Sequence, residues 1–211
     1  MKIKKCLTQI RTQLGFTLIE LLVTVAIAAI LLGLAAPSFR DVLLKNQMAS
    51  VGSQFSNHVL RARNEAVARN SCVIMCRSDN PNAAVVTNAA GNVIAGSPQC
   101  INSGTDWQEG WIVFLKEDCV SNTSGINSRP ARPEDYLITR ESNSTNFNFQ
   151  PQDAPPTIRL LFDANGRSGL SSAARFDMAY FGSVPLTEKF GYNICIDAIG
   201  RTRTVKWNQA C

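Results

Sequence analysis

Residues 200 to 207 read Gly-Arg-Thr-Arg-Thr-Val-Lys-Trp, and the cations are spaced for one kind of chemistry. If the run is a strand, Arg201 and Arg203 share a face about 7 Å apart, a reach suited to neighbouring phosphates of one DNA strand. Lys206 falls on the other face unless a bulge intervenes. Gly200 permits a tight preceding turn. Trp207 has the parity of the arginines, so it either stacks on a ligand or packs. Asp197 is the only acid between Gly191 and Cys211, against these three cations. The competing reading is a solvated edge strand whose charges discourage aggregation. Arg167, next to Asn165-Gly166, is placed to extend a basic patch.

Cysteine is the other chemical resource. Of seven cysteines, Cys6 lies near the N-terminus, and Cys72, Cys76, Cys100, Cys119, Cys195 and Cys211 form an even set. In an oxidising compartment such a set reads as up to three disulfides. Cys195 and Cys211 enclose the C-terminal hairpin and are expected to pair, a closure worth roughly 3 kcal/mol in the chain-entropy model. Cys76 with Cys100 closes the first long loop, which leaves Cys72 with Cys119 across an antiparallel pair of strands. A zinc site is disfavoured, because Cys72-x-x-x-Cys76 has no second close pair and the single histidine, His58, sits in a helical stretch. No hydrolase elbow, P-loop, dinucleotide fingerprint or H-E-x-x-H occurs. Neither an enzyme nor a cofactor nor a metal is expected.

The elements that position these groups begin with an apolar run. Phe16 to Ala36 is interrupted by only three polar residues, Thr17, Glu20 and Thr24. At about 1.5 Å per residue it makes roughly 30 Å of helix, enough to cross a bilayer. A carboxylate in such a span costs ~2.5–3.5 kcal/mol on insertion scales, so Glu20 calls for a partner or a place at the interface. Lys2, Lys4, Lys5 and Arg11 precede the run and supply +4 of the net charge of +5. Their position keeps the N-terminus cytoplasmic and sends the C-terminal part across the membrane. A secretory signal fits less well, since Ala35-Ala36-Pro37 comes too late and proline stands directly after the expected cut. The remaining chain is near neutral, so any nucleic-acid argument must rest on a local patch.

Beyond the span, Phe39, Val42, Leu43, Met48, Phe55, Val59, Ala62 and Ala66 recur mostly at threes and fours, which predicts one helix reaching about Arg69. Gly52 and Ser53 are candidate bend points. From Cys72 the period changes. Short β-prone runs begin at Cys72, Gly110, Tyr136, Thr157, Ala174, Tyr192 and Arg203, separated by turn signals. Asn165-Gly166 is the strongest hairpin signal and favours a type I′ turn. Residues 78–106 and 121–135 are long polar loops, of a kind that usually carries function or awaits a partner. No repeat and no interdomain linker is evident. The expected class is α+β in one exported domain.

The order basic leader, Gly15-Phe16-Thr17-Leu18-Ile19-Glu20, then LLVTVAI resembles the N-terminus of type IV pilins and type II secretion pseudopilins. Two further stretches narrow the resemblance. FSNHVLRARNEAVARNSCVIMCR at 55–77 and the Trp107-x-x-Gly110-Trp111-x-Val113-Phe114 strand look like the GspH/FimT family of minor pilins and pseudopilins. The resemblance implies the type IV pilin fold, a long N-terminal helix packed on an antiparallel β-sheet domain. It implies residues 1–15 as a cleaved leader, 16–36 as the transmembrane and assembly half of the helix, 37–70 as its amphipathic half, and 71–211 as the β-rich globular domain.

The same resemblance implies partners and sites. A prepilin peptidase cuts between Gly15 and Phe16, Phe16 is N-methylated, and Glu20 neutralises the new α-ammonium of a neighbouring subunit. The chain then sits in the bacterial inner membrane with a periplasmic domain, and later in a surface pilus with other major and minor pilins. Pro37 falls where the family carries a helix-bending proline. The C-terminal Gly200-Arg201-x-Arg203 resembles the element by which FimT-type minor pilins bind double-stranded DNA, without sequence preference, in natural transformation, and Lys206 is a further candidate contact beside it. A purely structural FimU-like minor pilin and a GspH-like pseudopilin of type II secretion are the alternatives.

Overall fold

The computed structural model describes residues 15–101, 103–116, 119, 128–141, 147–180 and 184–211, without the side chains of 34–38 and 184–186. The leader before Gly15 and most of the loop expected at 121–135 lie outside these residues. The chain divides into two compact units, residues 1–45 and 46–211.

The first unit holds the start of α1 (Leu18–Arg69). Thr17 opens it as an N-cap, its Oγ1 accepting the Glu20 N–H at 3.3 Å. That contact places Glu20 at the third helical position, where the macrodipole favours a carboxylate. The large apolar side chains from Phe16 to Leu32 are all exposed, as are Phe39, Val42 and Leu43. Those last three therefore do not belong to the buried stripe the sequence predicts. Among the described residues no helix is long and apolar enough to cross a membrane. The stretch with described side chains ends at Gly33, so the crossing by residues 16–36 stays a reading of the sequence.

In the second unit α1 buries Met48, Val51, Phe55, Val59, Ala62 and Ala66, one face at helical spacing. It stops in a Schellman motif. Asn70 takes φ 47°, with Ser71 N–H donating to Ala66 O at 3.1 Å and Asn70 N–H to Val67 O at 3.3 Å. The helix runs unbroken past Gly52. Gly52 is needed for a different reason from bending. A Cβ there would collide with the Tyr192 hydroxyl, which donates to Met48 O at 2.6 Å. Burial pushes the Tyr192 phenol up to about 12, against a weaker lowering by its hydrogen bond at Gly52, so it stays a donor.

Two four-stranded antiparallel sheets follow. The first holds β1 (Cys72–Arg77), β2 (Gly110–Lys116), β3 (Tyr136–Glu141) and β5 (Arg159–Phe162), in the order β3-β2-β1-β5. The second holds β4 (Phe147–Pro151), β6 (Ala174–Tyr180), β7 (Tyr192–Ile196) and β8 (Thr202–Lys206), in the order β4-β6-β7-β8. Strand β4 and the short helix α2 (Val184–Phe190) have no counterpart in the sequence expectation.

Phe55 joins the layers. Its ring meets Trp107, Trp111 and Phe149 edge-on at 5.3, 5.5 and 4.7 Å, and Phe176 at 5.0 Å. Edge-on contacts of this kind add ~0.5–1.5 kcal/mol each beyond area burial. Gly110, between the two tryptophans in sequence, has no room for a side chain. It takes φ 136°, and a Cβ there would sit 2.6 Å from Arg140 O and 2.8 Å from Pro81. The disulfide Cys76–Cys100 holds the loop after β1 over the sheet, where Ile74, Cys76, Cys100, Ile112 and Phe114 form a second core.

Candidate functional site

The C-terminal hairpin turns at Asp197–Arg201. The Asp197 carboxylate builds the turn, its Oδ1 accepting the N–H groups of Ile199 and Arg201 at 3.1 and 2.8 Å. The backbone closes it, with Gly200 N–H on Asp197 O at 2.9 Å and Asp197 N–H on Arg201 O at 3.1 Å. Gly200 needs its positive φ of 74°, and a Cβ would press within 2.8 Å of the Phe162 ring. Arg201 thus stands just ahead of β8, at the turn's exit, rather than within the strand.

Register then decides which cations share a face. Arg203 lies opposite Cys195, and Cys195 lies opposite Arg175. Arg175 is neutralised on that face by Asp177, at 2.6 and 2.9 Å. Lys206 pairs with Tyr192, so with no bulge it falls on the opposite face from Arg203 and leaves the arginine pair. Trp207 lies beyond the strand end, half-buried with a ring edge close to Gly191, which favours packing over stacking on a ligand. Arg201 and Arg203 are exposed and line one cleft of about 380 Å³ with Asp197, Cys195 and Cys211. Behind it Cys195 is bonded to Cys211. The remaining pair, Cys72–Cys119, is remote in sequence from this cleft.

Arg201 is the tethered member. Its Nε donates to Asp197 Oδ2 at 3.0 Å, with Arg201 70 % and Asp197 37 % exposed at the side chain. Burial raises the Asp197 carboxyl somewhat. The hydrogen bonds and charge of Arg201 outweigh that and hold it below the ordinary carboxylate value. Arg167 is exposed at the neighbouring turn. The sequence shows Asp197 as the one acid set against these cations, but not that it builds the turn and tethers Arg201 four residues on.

His58 turns out to be a core acceptor. Trp111 Nε1 donates to its Nδ1 at 2.9 Å, which requires an unprotonated Nδ1. Burial lowers its pKa, and the charges of Arg61 and Arg140 lower it further. No group of three or more metal-ligating side chains occurs among the described residues.

Set beside known proteins, residues 52–200 match the family model described as "Type II transport protein GspH", and residues 10–36 match the "Prokaryotic N-terminal methylation motif". Two crystal forms of the type IV minor pilin FimU of Pseudomonas aeruginosa resemble the structure. The first is 17 % identical with a TM-score of 0.48, covering 79 % of this chain and 93 % of that one. The second is 16 % identical with a TM-score of 0.46, covering 77 % and 96 %. No curated protein matches the chain in sequence.

Proposed function

The chain belongs to the GspH family of type IV pilins and pseudopilins, and from that premise we propose that it is a minor type IV pilin that also binds DNA. Family membership makes it a structural subunit that associates with other pilins, not an enzyme. In the proposal a prepilin peptidase cuts after Gly15, Phe16 is N-methylated, and residues 16–36 anchor the chain in the inner membrane. The domain beyond is periplasmic until assembly, and the subunit then enters the tip or priming complex of a surface pilus. The exposed apolar side chains from Phe16 to Leu32 support this, since a contiguous surface of that kind calls for lipid or other helices to cover it.

One observation carries the DNA reading: Arg201 and Arg203 open onto a single exposed cleft, on a hairpin braced by the Cys195–Cys211 bond. The bracing lowers the ordering cost of contact. Trp207 is half-buried beside Gly191 whereas both arginines are exposed, so the favoured ligand is the phosphate backbone of a duplex, read without sequence preference.

The test is a titration of the full-length protein, in neutral detergent, with a short mixed-sequence DNA duplex at several salt concentrations. Few phosphate contacts imply micromolar or weaker affinity and a log–log salt slope of about −0.9 per contact. Arg201→Gln with Arg203→Gln should flatten that slope by roughly two contacts and leave the melting curve unchanged. Superimposable binding curves for the two proteins would leave a purely structural minor pilin. The family description also fits a pseudopilin of type II secretion; loss of protein secretion without loss of pili, on deleting the gene, would favour that reading.

A further inference from the structure

The Asp197–Arg201 turn is built twice. Asp163-Ala164-Asn165-Gly166-Arg167 has the same pattern, Asp-Ala-x-Gly-Arg, and the same bonds. Asp163 Oδ1 accepts the N–H groups of Asn165 and Arg167, both at 2.9 Å. Gly166 N–H donates to Asp163 O at 2.8 Å, and Asp163 N–H to Arg167 O at 3.0 Å. The glycines take φ 75° and 74°. Only the second residue of Asn165-Gly166 has positive φ, so this is not the type I′ turn expected from the sequence, which needs positive φ at both.

The two copies sit side by side. Ser168, directly after the first turn, donates its N–H to Ala198 O and its hydroxyl to Asp197 O in the second, each at 3.0 Å. Arg63 of α1 passes between them. Its Nε donates to Gly166 O at 3.1 Å, and its Cδ lies 3.1 Å from where a Cβ on Gly200 would stand. Arg167 and Arg201 therefore leave equivalent turns at one end of the unit, with Arg63 half-buried between. Their surroundings differ in one respect. Arg201 is held by Asp197, whereas the Asp163 carboxylate bonds backbone N–H groups, and the exposed Arg167 guanidinium has no partner among the described residues.

We propose that Arg167 is a further phosphate-contacting residue, so that the anion-binding surface is a composite of both turns, not the C-terminal hairpin alone. This rests on the DNA reading of that hairpin. A duplex backbone engaging Arg201 and Arg203 meets a third, unpaired guanidinium on a rigid neighbouring turn, already positioned by bonds that do not use its side chain. The ligand it adds is another phosphate of the same duplex.

The test uses the full-length protein in neutral detergent and the same short DNA duplex, followed by fluorescence anisotropy across a salt series. Arg167→Gln should flatten the log–log slope by about 0.9, and Arg167→Lys should restore it. Arg132→Gln removes an equal charge beside β3, at the sheet edge opposite β5, and should leave the slope unchanged. Equal slopes for Arg167→Gln, Arg132→Gln and wild type, with the Arg201/Arg203 double variant still flattened, would overturn the composite surface and leave the hairpin reading standing. Absence of salt-dependent binding by the wild type would overturn both.

Discussion

Arg201 folds back onto Asp197, its Nε 3.0 Å from one carboxylate oxygen while its own N–H donates to the other at 2.8 Å. One side chain therefore shapes the turn and competes with any phosphate for the cation the turn presents. Asparagine separates these roles, because its Oδ1 still accepts the backbone N–H groups while the charge is gone. Asp197→Asn should bind the duplex more tightly. An exposed pair is worth ~0.2–1 kcal/mol, so the gain should be no more than about fivefold. Weaker binding by Asp197→Asn, in the anisotropy titration, would mean that the carboxylate organises Arg201 for the ligand instead.

His58 makes stability depend on pH in a definite direction. Its imidazole accepts from Trp111, and its pKa in the folded protein lies below 6.5 through burial, then Arg61 and Arg140. The unfolded chain thus binds the proton more readily. The contribution is fully present above about pH 6.5 and is lost as pH falls from there through the lower folded value. Thermal melts between pH 7.5 and 5.5, followed by tryptophan fluorescence, should show a fall for wild type and a flatter profile for His58→Gln. Equal profiles would remove His58 as the cause.

How much of this was legible in sequence depends on the range of the interaction. The 3.6-residue spacing of Met48, Phe55, Val59, Ala62 and Ala66 announces a buried helix face, and loop closure in sequence picks out the three disulfides found. Strand β4 was hidden because its buried alternation, Phe147, Phe149, Pro151, lies within an Asn- and Ser-rich stretch. It is placed by long-range contacts, its antiparallel pairing with β6 and the Phe149 N–H on Asp106 Oδ1 at 2.9 Å. The paired turns escaped notice for a similar reason. A five-residue repeat is too short to read as one until Ser168 and Arg63 show the copies side by side.

Gly52 and Tyr192 should behave as a unit. Gly52→Ala sets a methyl against the Tyr192 hydroxyl and should cost ~1–3 kcal/mol as overpacking. Tyr192→Phe loses the bond to Met48 O, worth ~0.5–1.5 kcal/mol, but removes the closest of the atoms the methyl would meet, leaving ring carbons at 3.0 and 3.1 Å. The double variant should therefore be more stable than the two single losses predict. Additive losses in urea denaturation would show that a methyl at position 52 and the Tyr192 hydroxyl do not compete for the same space.

The N-terminal reading turns on Glu20, for which there are now two accounts. As the third residue of α1, with its N–H on Thr17 Oγ1, it supports the helix start through the macrodipole, worth ~0.3–1 kcal/mol for an exposed carboxylate. In the pilin proposal its charge also meets the α-ammonium of Phe16 in an adjacent subunit, where two groups costly in hydrocarbon become tolerable together. Glutamine distinguishes them, since it keeps size and hydrogen-bonding capacity at a helix start but carries no charge. With Gly15 intact, peptidase-treated protein should begin at N-methyl-Phe16 in both wild type and Glu20→Gln, and both should insert in the membrane. Only the wild type should enter sheared pili in normal amount. Equal incorporation of Glu20→Gln would leave the helix-start role and remove the ion pair, while a mature N-terminus near Ala36 would remove the pilin processing route itself.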